Sequence, residues 1–190
     1  MTKIVICGVG GQGIILASDI LSLAAMEAGY DVKKSEVHGM AQRGGSVISN
    51  CIFGKKVYSP LIGFGEGDIL LAFEKLEALR GLPYLKKDGT MIVNDYEWPP
   101  LTVASGDVVY PENTIETLKD KVKKLVSVDG VKIAMDLGNI RTTNVVLLGV
   151  LARFLPFKRE SWLSVIERRV PGKTLEINKT AFLSGFPSEV

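Results

Sequence analysis

Three glycines near the start of the chain have the G-x-G-x-x-G spacing that lets a loop approach a phosphate group. They are Gly8, Gly10 and Gly13, and they lie between a short apolar run at residues 3–7 and a long apolar run at residues 14–28. Because glycine has no Cβ atom, such a loop brings its backbone N–H groups and the start of the next helix against a phosphate. A tight turn with a close helix–strand contact would explain the same spacing, so both interpretations stay open here.

A second polar, glycine-rich segment spans residues 35–45 and contains the single histidine of the chain, His38. It has neither helical nor strand periodicity, so we expect a functional loop. Arg43 precedes Gly44 and Gly45, which would place a planar guanidinium for a phosphate or carboxylate beside bare backbone. An ordinary surface arginine is the alternative. His38 is a weak candidate for a catalytic base, and a hydrogen-bonding group for a ligand or a neighbouring chain is the simpler role.

An NAD site of the Rossmann type would also need an acidic residue about 20 positions after the glycines, to bind the ribose. Glu36 is the well-placed candidate. The residues that follow it do not continue like a Rossmann unit. A freestanding NAD(P)-binding oxidoreductase, with Glu36 on the ribose and His38 as the acid–base group, therefore stays an alternative.

Three carboxylates, Asp68, Glu74 and Glu77, fall around the end of a predicted strand and the start of the next helix. Acid–base chemistry would need such groups, but carboxylates in this position also cap helices and favour the positive end of the helix dipole. We favour the capping role. The lysines of residues 119–124 are similarly interpreted as a solvated helix face.

The two cysteines, Cys7 and Cys51, lie in apolar runs without a C-x-x-C spacing. We expect them to be buried and reduced. An iron–sulfur cluster normally needs four cysteine ligands, and a structural zinc site needs a comparable set of cysteine and histidine. A G-x-x-x-x-G-K-[ST] loop for ATP is also missing. No metal site is therefore predicted in this chain.

The chain has 190 residues, a net charge of +2 and 46% hydrophobic residues, as is typical of a globular protein. We expect one domain over residues 1–190, and the scattered basic residues do not favour a nucleic-acid partner. The longest apolar run, residues 145–152, is shorter than the ~18 residues of a membrane helix. We expect a cytoplasmic protein without a signal peptide or a membrane anchor.

The elements that position these residues alternate between strand and helix. The apolar runs predict strands at residues 3–7, 30–33, 46–53, 56–58, 68–73, 90–94, 107–110 and 131–136. They predict helices at residues 14–28, 74–85, 114–126, 142–154, 161–170 and 174–184. The pattern indicates an α/β fold with a three-layer Rossmann-like sheet, mostly parallel with an antiparallel hairpin turning at residues 54–55, and helices on both faces.

Five segments, in this order, resemble the small subunit of 2-oxoacid:ferredoxin oxidoreductases. They are residues 8–13, 35–47, 68–80, 137–144 and 178–185, so the resemblance covers nearly the whole chain. It is strongest to the β subunit of the indolepyruvate enzymes, which corresponds to the γ subunit of the pyruvate and ketoisovalerate enzymes. The segment from His38 to Gly45 is its most specific part.

The resemblance implies a subunit of an enzyme that converts a 2-oxo acid and coenzyme A to an acyl-CoA, carbon dioxide and reduced ferredoxin. It assigns thiamine diphosphate, magnesium and the iron–sulfur clusters to large partner subunits, and coenzyme A enters as a co-substrate. The isolated chain is then expected to be inactive, and aryl pyruvates such as indolepyruvate are the favoured substrates. Ferredoxin is then expected to bind to the whole complex rather than to this chain alone.

The resemblance places contacts with the partner subunit and with coenzyme A phosphates in two loops. The predicted cofactor-binding residues are Gly10, Gly11, Gln12, Gly13, Gln42, Arg43, Gly44 and Gly45. No catalytic residue is predicted, apart from the weak candidate His38. The abundant aliphatic residues predict an exposed partner surface, through which the isolated chain can form a homodimer. A non-catalytic adaptor of the same fold is a third possible function.

Overall fold

The computed structural model describes residues 1–38, 44–99, 101–106 and 109–186. Its strands are β1 (Thr2–Val9), β2 (Asp31–His38), β3 (Ser46–Gly54), β4 (Gly67–Ala72), β5 (Leu85–Asn94) and β6 (Lys124–Val128). Within the described residues they form one sheet in the order β2-β3-β1-β4-β5-β6.

Strand β1 lies inside the sheet because both of its faces are apolar. Ile4 and Ile6 pack into the core on one face, and Val5 and Cys7 pack into the core on the other. A continuous apolar run of this kind is typical of a strand that is buried on both sides.

The sheet is mixed. Strands β1, β4, β5 and β6 are parallel neighbours, whereas β3 is antiparallel to both β1 and β2. Strand β2 is therefore parallel to β1 but separated from it by β3. The predicted α/β class, mostly parallel with one antiparallel hairpin, is confirmed.

Helices cover both faces of the sheet. They are α1 (Ile14–Glu27), α2 (Lys75–Gly81), α3 (Leu101–Ala104), α4 (Thr114–Lys121), α5 (Gly130–Asp136), α6 (Thr143–Ala152), α7 (Arg159–Arg169) and α8 (Leu175–Gly185). The core on one face contains buried residues of α1, α5, α6, α7 and α8. The thinner core on the other face contains residues of α2 and α4. Among the described residues, no helix combines the length and the apolar character needed to cross a membrane.

The antiparallel hairpin has different strands from those predicted. Residues 56–58 were expected to pair with β3, but β3 pairs with β2 instead. The side chains of Val57 and Ile62 are buried in the thinner core, and the Asp31 carboxylate accepts a hydrogen bond from the Val57 amide at 2.8 Å. This segment therefore crosses the face of the sheet rather than extending its edge.

The predicted element types were also wrong between residues 122 and 136. The predicted strand at 131–136 is helix α5, and the predicted helix 114–126 ends at Lys121. Residues 124–128, at its expected end, form strand β6 next to β5. The Asp129 side chain accepts a hydrogen bond from the Lys132 amide at 2.9 Å, which caps α5 and fixes the short apolar run as a helix.

Two other segments differ from the prediction in part. Residues 35–38, expected to begin a loop, are the end of strand β2, because β3 provides a hydrogen-bonding neighbour for them. Of the short strand predicted at residues 107–110, positions 107 and 108 lie outside the described residues. Val109 and Tyr110 are in no strand.

Candidate ligand cleft at the carboxyl edge of the sheet

The sheet has a switch point between β1 and β4. After β1 the chain enters α1, which packs on one face, whereas after β4 it enters α2, which packs on the other. In α/β sheets of this kind, ligands bind in the crevice that such a reversal leaves at the carboxyl ends of the strands. A cleft of about 780 Å³ lies there. It is lined by Gly10, Gly11, Gln12, Gly13, Leu16, Gly44, Phe73, Asn94, Tyr96, Trp98, Val131, Ile140, Arg141, Thr143 and Asn144.

The two glycine-rich segments meet on one wall of the cleft. The Gly10 amide donates a hydrogen bond to the Gly45 carbonyl at 2.8 Å, and the Gly44 amide donates one to the Gly10 carbonyl at 3.2 Å. The two loops therefore lie side by side. Gln42 and Arg43, which belong to the same prediction, lie outside the described residues.

Gln12 holds the glycine loop in place through both ends of its amide. Its Oε1 accepts a hydrogen bond from the Val9 amide at 2.8 Å, and its Nε2 donates to the Phe73 carbonyl at 3.2 Å. The loop that follows β1 is therefore attached to the end of β4. The family resemblance predicted that Gln12 binds the cofactor, but both polar atoms of its side chain are bonded within the protein.

Helix α1 begins at the cleft with an open amino terminus. Its N-cap residue is Gly13, in a left-handed conformation with φ +80°, and no side chain caps the helix. The first turn contains no acidic residue. Because the first amides of a helix lack partners within the helix and carry partial positive charge, this end of α1 suits an anionic group.

The opposite wall comes from the start of α6. The Asn139 side chain accepts a hydrogen bond from the Arg141 amide at 3.1 Å and caps the short turn of Ile140–Thr142. Arg141 is thereby placed at the cleft as an exposed cation. Arg141 was not among the predicted site residues, although it lies in the segment 137–144 that carried the family resemblance.

Aromatic residues form a third wall. Phe73 follows β4, and Tyr96 and Trp98 follow β5. The ring centroids of Tyr96 and Trp98 are 6.3 Å apart in an edge-to-face arrangement, and the Trp98 side chain is 42% exposed. An aromatic wall beside an anion-binding loop can bind a ligand that has both a planar apolar group and phosphates. No sequence motif predicts this wall, because Tyr96 and Trp98 lie in an irregular segment.

Beside the aromatic wall, two carboxylates are buried at the start of α2. Glu74 is the N-cap of α2, as predicted, and Glu77 lies one turn later. Glu77 accepts hydrogen bonds from the Ser46 hydroxyl and from Arg80, the latter at 2.6 Å. Burial raises the pKa of the Glu74 carboxyl, against the hydrogen bond from the Tyr110 hydroxyl, which lowers it.

The structure does not place Glu36 as an NAD site requires. Glu36 lies on β2, and β3 separates β2 from β1 and its glycine loop. Its carboxylate pairs with the Lys34 ammonium at 2.7 Å. The acidic residue of a dinucleotide site lies on the strand next to the glycine loop, so this geometry does not favour the NAD alternative. His38 is the last residue of β2, and its side chain lies outside the described part of the structure.

The remaining predicted residues have structural roles or lie at the surface. Cys7 and Cys51 are free thiols inside the core, as predicted, and burial raises the pKa of the Cys51 thiol to about 11.

Asp68 accepts hydrogen bonds from the Lys3 amide and from Lys86. The lysines of residues 119–124 are exposed, as expected, but only those up to Lys121 belong to a helix. Across the described residues, no group of three or more His, Cys, Asp or Glu side chains is placed to hold a metal ion.

Comparison with known proteins shows similarity along almost the whole chain. A family model described as pyruvate ferredoxin/flavodoxin oxidoreductase matches residues 3–187. The indolepyruvate oxidoreductase subunit IorB of Thermococcus kodakarensis is 45% identical, over 96% of this chain and 93% of its own length.

Two solved structures have the same fold. The γ subunit of a keto/oxoacid ferredoxin oxidoreductase from Geobacter sulfurreducens has a TM-score of 0.73 and 25% identity, over 98% of this chain and 96% of its own. A 2-oxoglutarate:ferredoxin oxidoreductase from Magnetococcus marinus, solved with 2-oxoglutarate, coenzyme A and succinyl-CoA, has a TM-score of 0.74 and 19% identity. That match covers 97% of this chain and 30% of the longer Magnetococcus chain, so there the fold is one part of a larger polypeptide.

Proposed function

Because the chain belongs to the pyruvate ferredoxin/flavodoxin oxidoreductase family, we propose that it is the small subunit of an indolepyruvate-type 2-oxoacid:ferredoxin oxidoreductase and that its cleft binds coenzyme A. The similarity supports membership of such a complex, and the name of the Thermococcus relative supports the indolepyruvate type. The observation that carries the role in coenzyme A binding is the open amino terminus of α1 beside two joined glycine loops.

The proposed reaction of the complex is an oxidative decarboxylation. The bond between the carboxylate carbon and the keto carbon of the 2-oxo acid breaks, and carbon dioxide leaves. The keto carbon forms a bond with the sulfur of coenzyme A, whose thiol proton is released. The two electrons removed from the substrate reduce two ferredoxins, one electron each.

In this proposal the cleft binds the polar end of coenzyme A. The first amides of α1 and of the glycine loop donate hydrogen bonds to one phosphate, and Arg141 on the opposite wall provides a positive charge for a second one. The aromatic wall of Phe73, Tyr96 and Trp98 packs against the planar adenine ring. The coenzyme A in the Magnetococcus structure supports the choice of ligand.

Iron–sulfur clusters do not fit this chain. It contains two cysteines, Cys7 and Cys51, and both are buried in the core. Burial raises the pKa of each thiol, which disfavours the thiolate that a cluster needs. We therefore propose that the clusters, and with them thiamine diphosphate and magnesium, belong to large partner subunits.

The partner surface is proposed to surround the mouth of the cleft. Ile15 at the start of α1, Val37 near the end of β2 and Ile140 before α6 are 45%, 62% and 47% exposed. Exposed aliphatic side chains around a ligand site are typical of a protein interface. When the partner is absent, the same surface can pair two copies of this chain.

Purification from the native cells without oxygen tests the assignment to a complex. Native mass spectrometry is expected to find the chain bound to a larger subunit, in a fraction whose absorption spectrum shows iron–sulfur clusters. With that complex, indolepyruvate should support the reduction of a viologen dye that depends on coenzyme A. A lone, colourless chain would contradict the proposal.

A pair of arginine substitutions tests the site. Arg141→Ala is expected to raise the KM for coenzyme A about tenfold, since one charge-assisted contact with a phosphate is lost. Arg159→Ala, which removes an exposed arginine from α7, is the matched control and should leave the KM unchanged. Equal KM values for both variants would remove Arg141 from the site. Arg43→Ala tests one of the two predicted loop residues that lie outside the described structure, and unchanged assembly with an unchanged KM would exclude it.

A further inference from the structure

Glu74 uses both oxygens of a fully buried carboxylate. Its Oε2 accepts a hydrogen bond from the Glu77 amide at 2.9 Å, as expected of a helix cap. Its Oε1 accepts one from the Trp98 amide at 3.3 Å and another from the Tyr110 hydroxyl. The Glu74 side chain has 0% exposure, so the carboxylate is shielded from water, while the bonds to Trp98 and Tyr110 are partly buried. One carboxylate thus connects α2 with two separate points of the segment that joins β5 to α4.

The other free amides at the start of α2 bind the same segment. The Lys75 amide donates to the Tyr96 carbonyl at 3.1 Å, and the Leu76 amide donates to the Tyr110 hydroxyl oxygen at 3.2 Å. The Tyr110 hydroxyl therefore donates to Glu74 and accepts from Leu76. All of these bonds involve the residues that carry the aromatic wall, or Tyr110 at the far end of the same segment.

We propose that Glu74 is a positioning residue for the ligand of the cleft, acting through Tyr110 and the Trp98 backbone to hold Tyr96 and Trp98 in place. This inference rests on the proposed function, because the ligand is coenzyme A. Glu74 itself does not line the cleft.

A cap alone would not need this arrangement. A short serine or aspartate side chain at the surface can satisfy a helix amide, whereas a buried carboxylate loses its hydration and is costly unless it is fully hydrogen-bonded. The three bonds to Glu74 offset that cost, and two of them bind the segment of the aromatic wall. A wall that is fixed before the ligand arrives has less conformational entropy to lose on binding.

Tryptophan fluorescence of the full chain measures the position of the wall directly. The chain has two tryptophans, Trp98 at the cleft and Trp162 with 0% exposure in the core, so quenching by acrylamide reports mainly on Trp98. Tyr110→Phe removes only the hydroxyl and is expected to increase the quenching constant of Trp98. The matched control is Tyr58→Phe, because the Tyr58 side chain is 83% exposed and does not line the cleft.

Steady-state kinetics of the complex measure the effect on the ligand. Tyr110→Phe and Glu74→Gln are each expected to raise the KM for coenzyme A about tenfold, while kcat at saturating coenzyme A is retained. The double variant should be no worse than the poorer single variant, because both changes remove the same connection. A purely structural role would lower the amount of active complex instead and leave the KM unchanged.

Each outcome decides the inference. Increased quenching together with a raised KM in Tyr110→Phe, and neither in Tyr58→Phe, supports it. Unchanged quenching of Trp98 overturns it, whatever the kinetics show. Increased quenching with an unchanged KM also overturns it. A wild-type complex whose activity does not depend on coenzyme A would instead contradict the proposed function.

Discussion

Helices α1 and α2 both begin at the carboxyl edge of the sheet, after the neighbouring strands β1 and β4, but their first turns are satisfied in opposite ways. Helix α1 starts at Gly13 without a side-chain cap and without an acidic residue in its first turn. The first amides of α2 are bound by the Glu74 carboxylate, the Tyr96 carbonyl and the Tyr110 hydroxyl. One helix end lies at the cleft without a side-chain cap, and the other is hydrogen-bonded to the segment that carries the aromatic wall.

The difference shows how one structural feature serves two purposes. An uncapped helix end attracts anions because its first amides lack hydrogen-bond partners and carry partial positive charge. Glycines at that end have no side chain that would block an anion. A buried carboxylate at the second end neutralises the same partial charge from within the protein. Of these two helix ends, only that of α1 keeps its first amides without side-chain partners.

The largest expected effect comes from filling the space at the open end. Gly13→Ala would put a Cβ 2.6 Å from the Asn144 Nδ2 atom at a residue with φ +80°, which should lower the free energy of unfolding by about 2–5 kcal/mol. Gly11→Ala is the control, because φ there is +110° but no atom lies within 4 Å of the added Cβ. Urea unfolding of the full chain measures both. Equal losses would show that backbone strain alone makes Gly13 necessary.

Removing the side chain that closes the second end should have the next largest effect. Glu74→Ala leaves the Trp98 amide, the Glu77 amide and the Tyr110 hydroxyl without their acceptor, so we expect a loss of about 2–4 kcal/mol in the free energy of unfolding. Thermal or urea unfolding checks this loss. A loss below that of a typical exposed helix cap, about 1 kcal/mol, would mean that the buried bonds contribute little beyond capping.

The ionisation of Glu74 should make stability depend on pH. Burial raises the pKa of this carboxyl in the folded protein above its ordinary value of 4.5, so the folded state holds the proton more tightly than the unfolded state. The contribution of Glu74 is then fully present below pH 4.5 and is lost as the pH rises through the folded-state pKa.

Comparison with Glu74→Gln tests this contribution, because the substitution removes the titrating group and keeps a side chain of similar size. The free energy of unfolding of the wild type, minus that of Glu74→Gln, is expected to fall as the pH rises above 4.5. Urea unfolding at several pH values measures the difference. A difference that rises with pH would contradict the raised pKa.

The smallest expected effect comes from giving α1 the negative charge that α2 already has. Ile15→Glu places a carboxylate in the first turn of α1 and should raise the free energy of unfolding by about 0.3–1 kcal/mol relative to Ile15→Gln. The same change should weaken coenzyme A binding, because the new charge repels phosphate. If Ile15→Glu and Ile15→Gln bound coenzyme A equally well, the open end of α1 would not be part of the phosphate site.

Much of the fold could be predicted because its strongest patterns are local. The apolar run that forms β1, the glycines after it and the long apolar helix α1 are adjacent in sequence, and all were predicted. Strand β6 and helix α5 were not, because each is short and its pattern fits either type of structure. The neighbouring strand β5 and the Asp129 cap decide between the alternatives, and only the folded chain supplies the first of these.

The sequence by itself determined the α/β class, the family and the glycine loop, because these depend on residue types at short spacing. The tertiary structure decided which surfaces face the cleft. Arg141 lies in a segment that carried the family resemblance, but its place opposite the glycine loop depends on the fold. The bond from Tyr110 to Glu74 joins residues far apart in the chain, and no local pattern marks it. The physical reason is that a buried carboxylate and an exposed cation are defined by their surroundings, which exist only once the strands have been brought together.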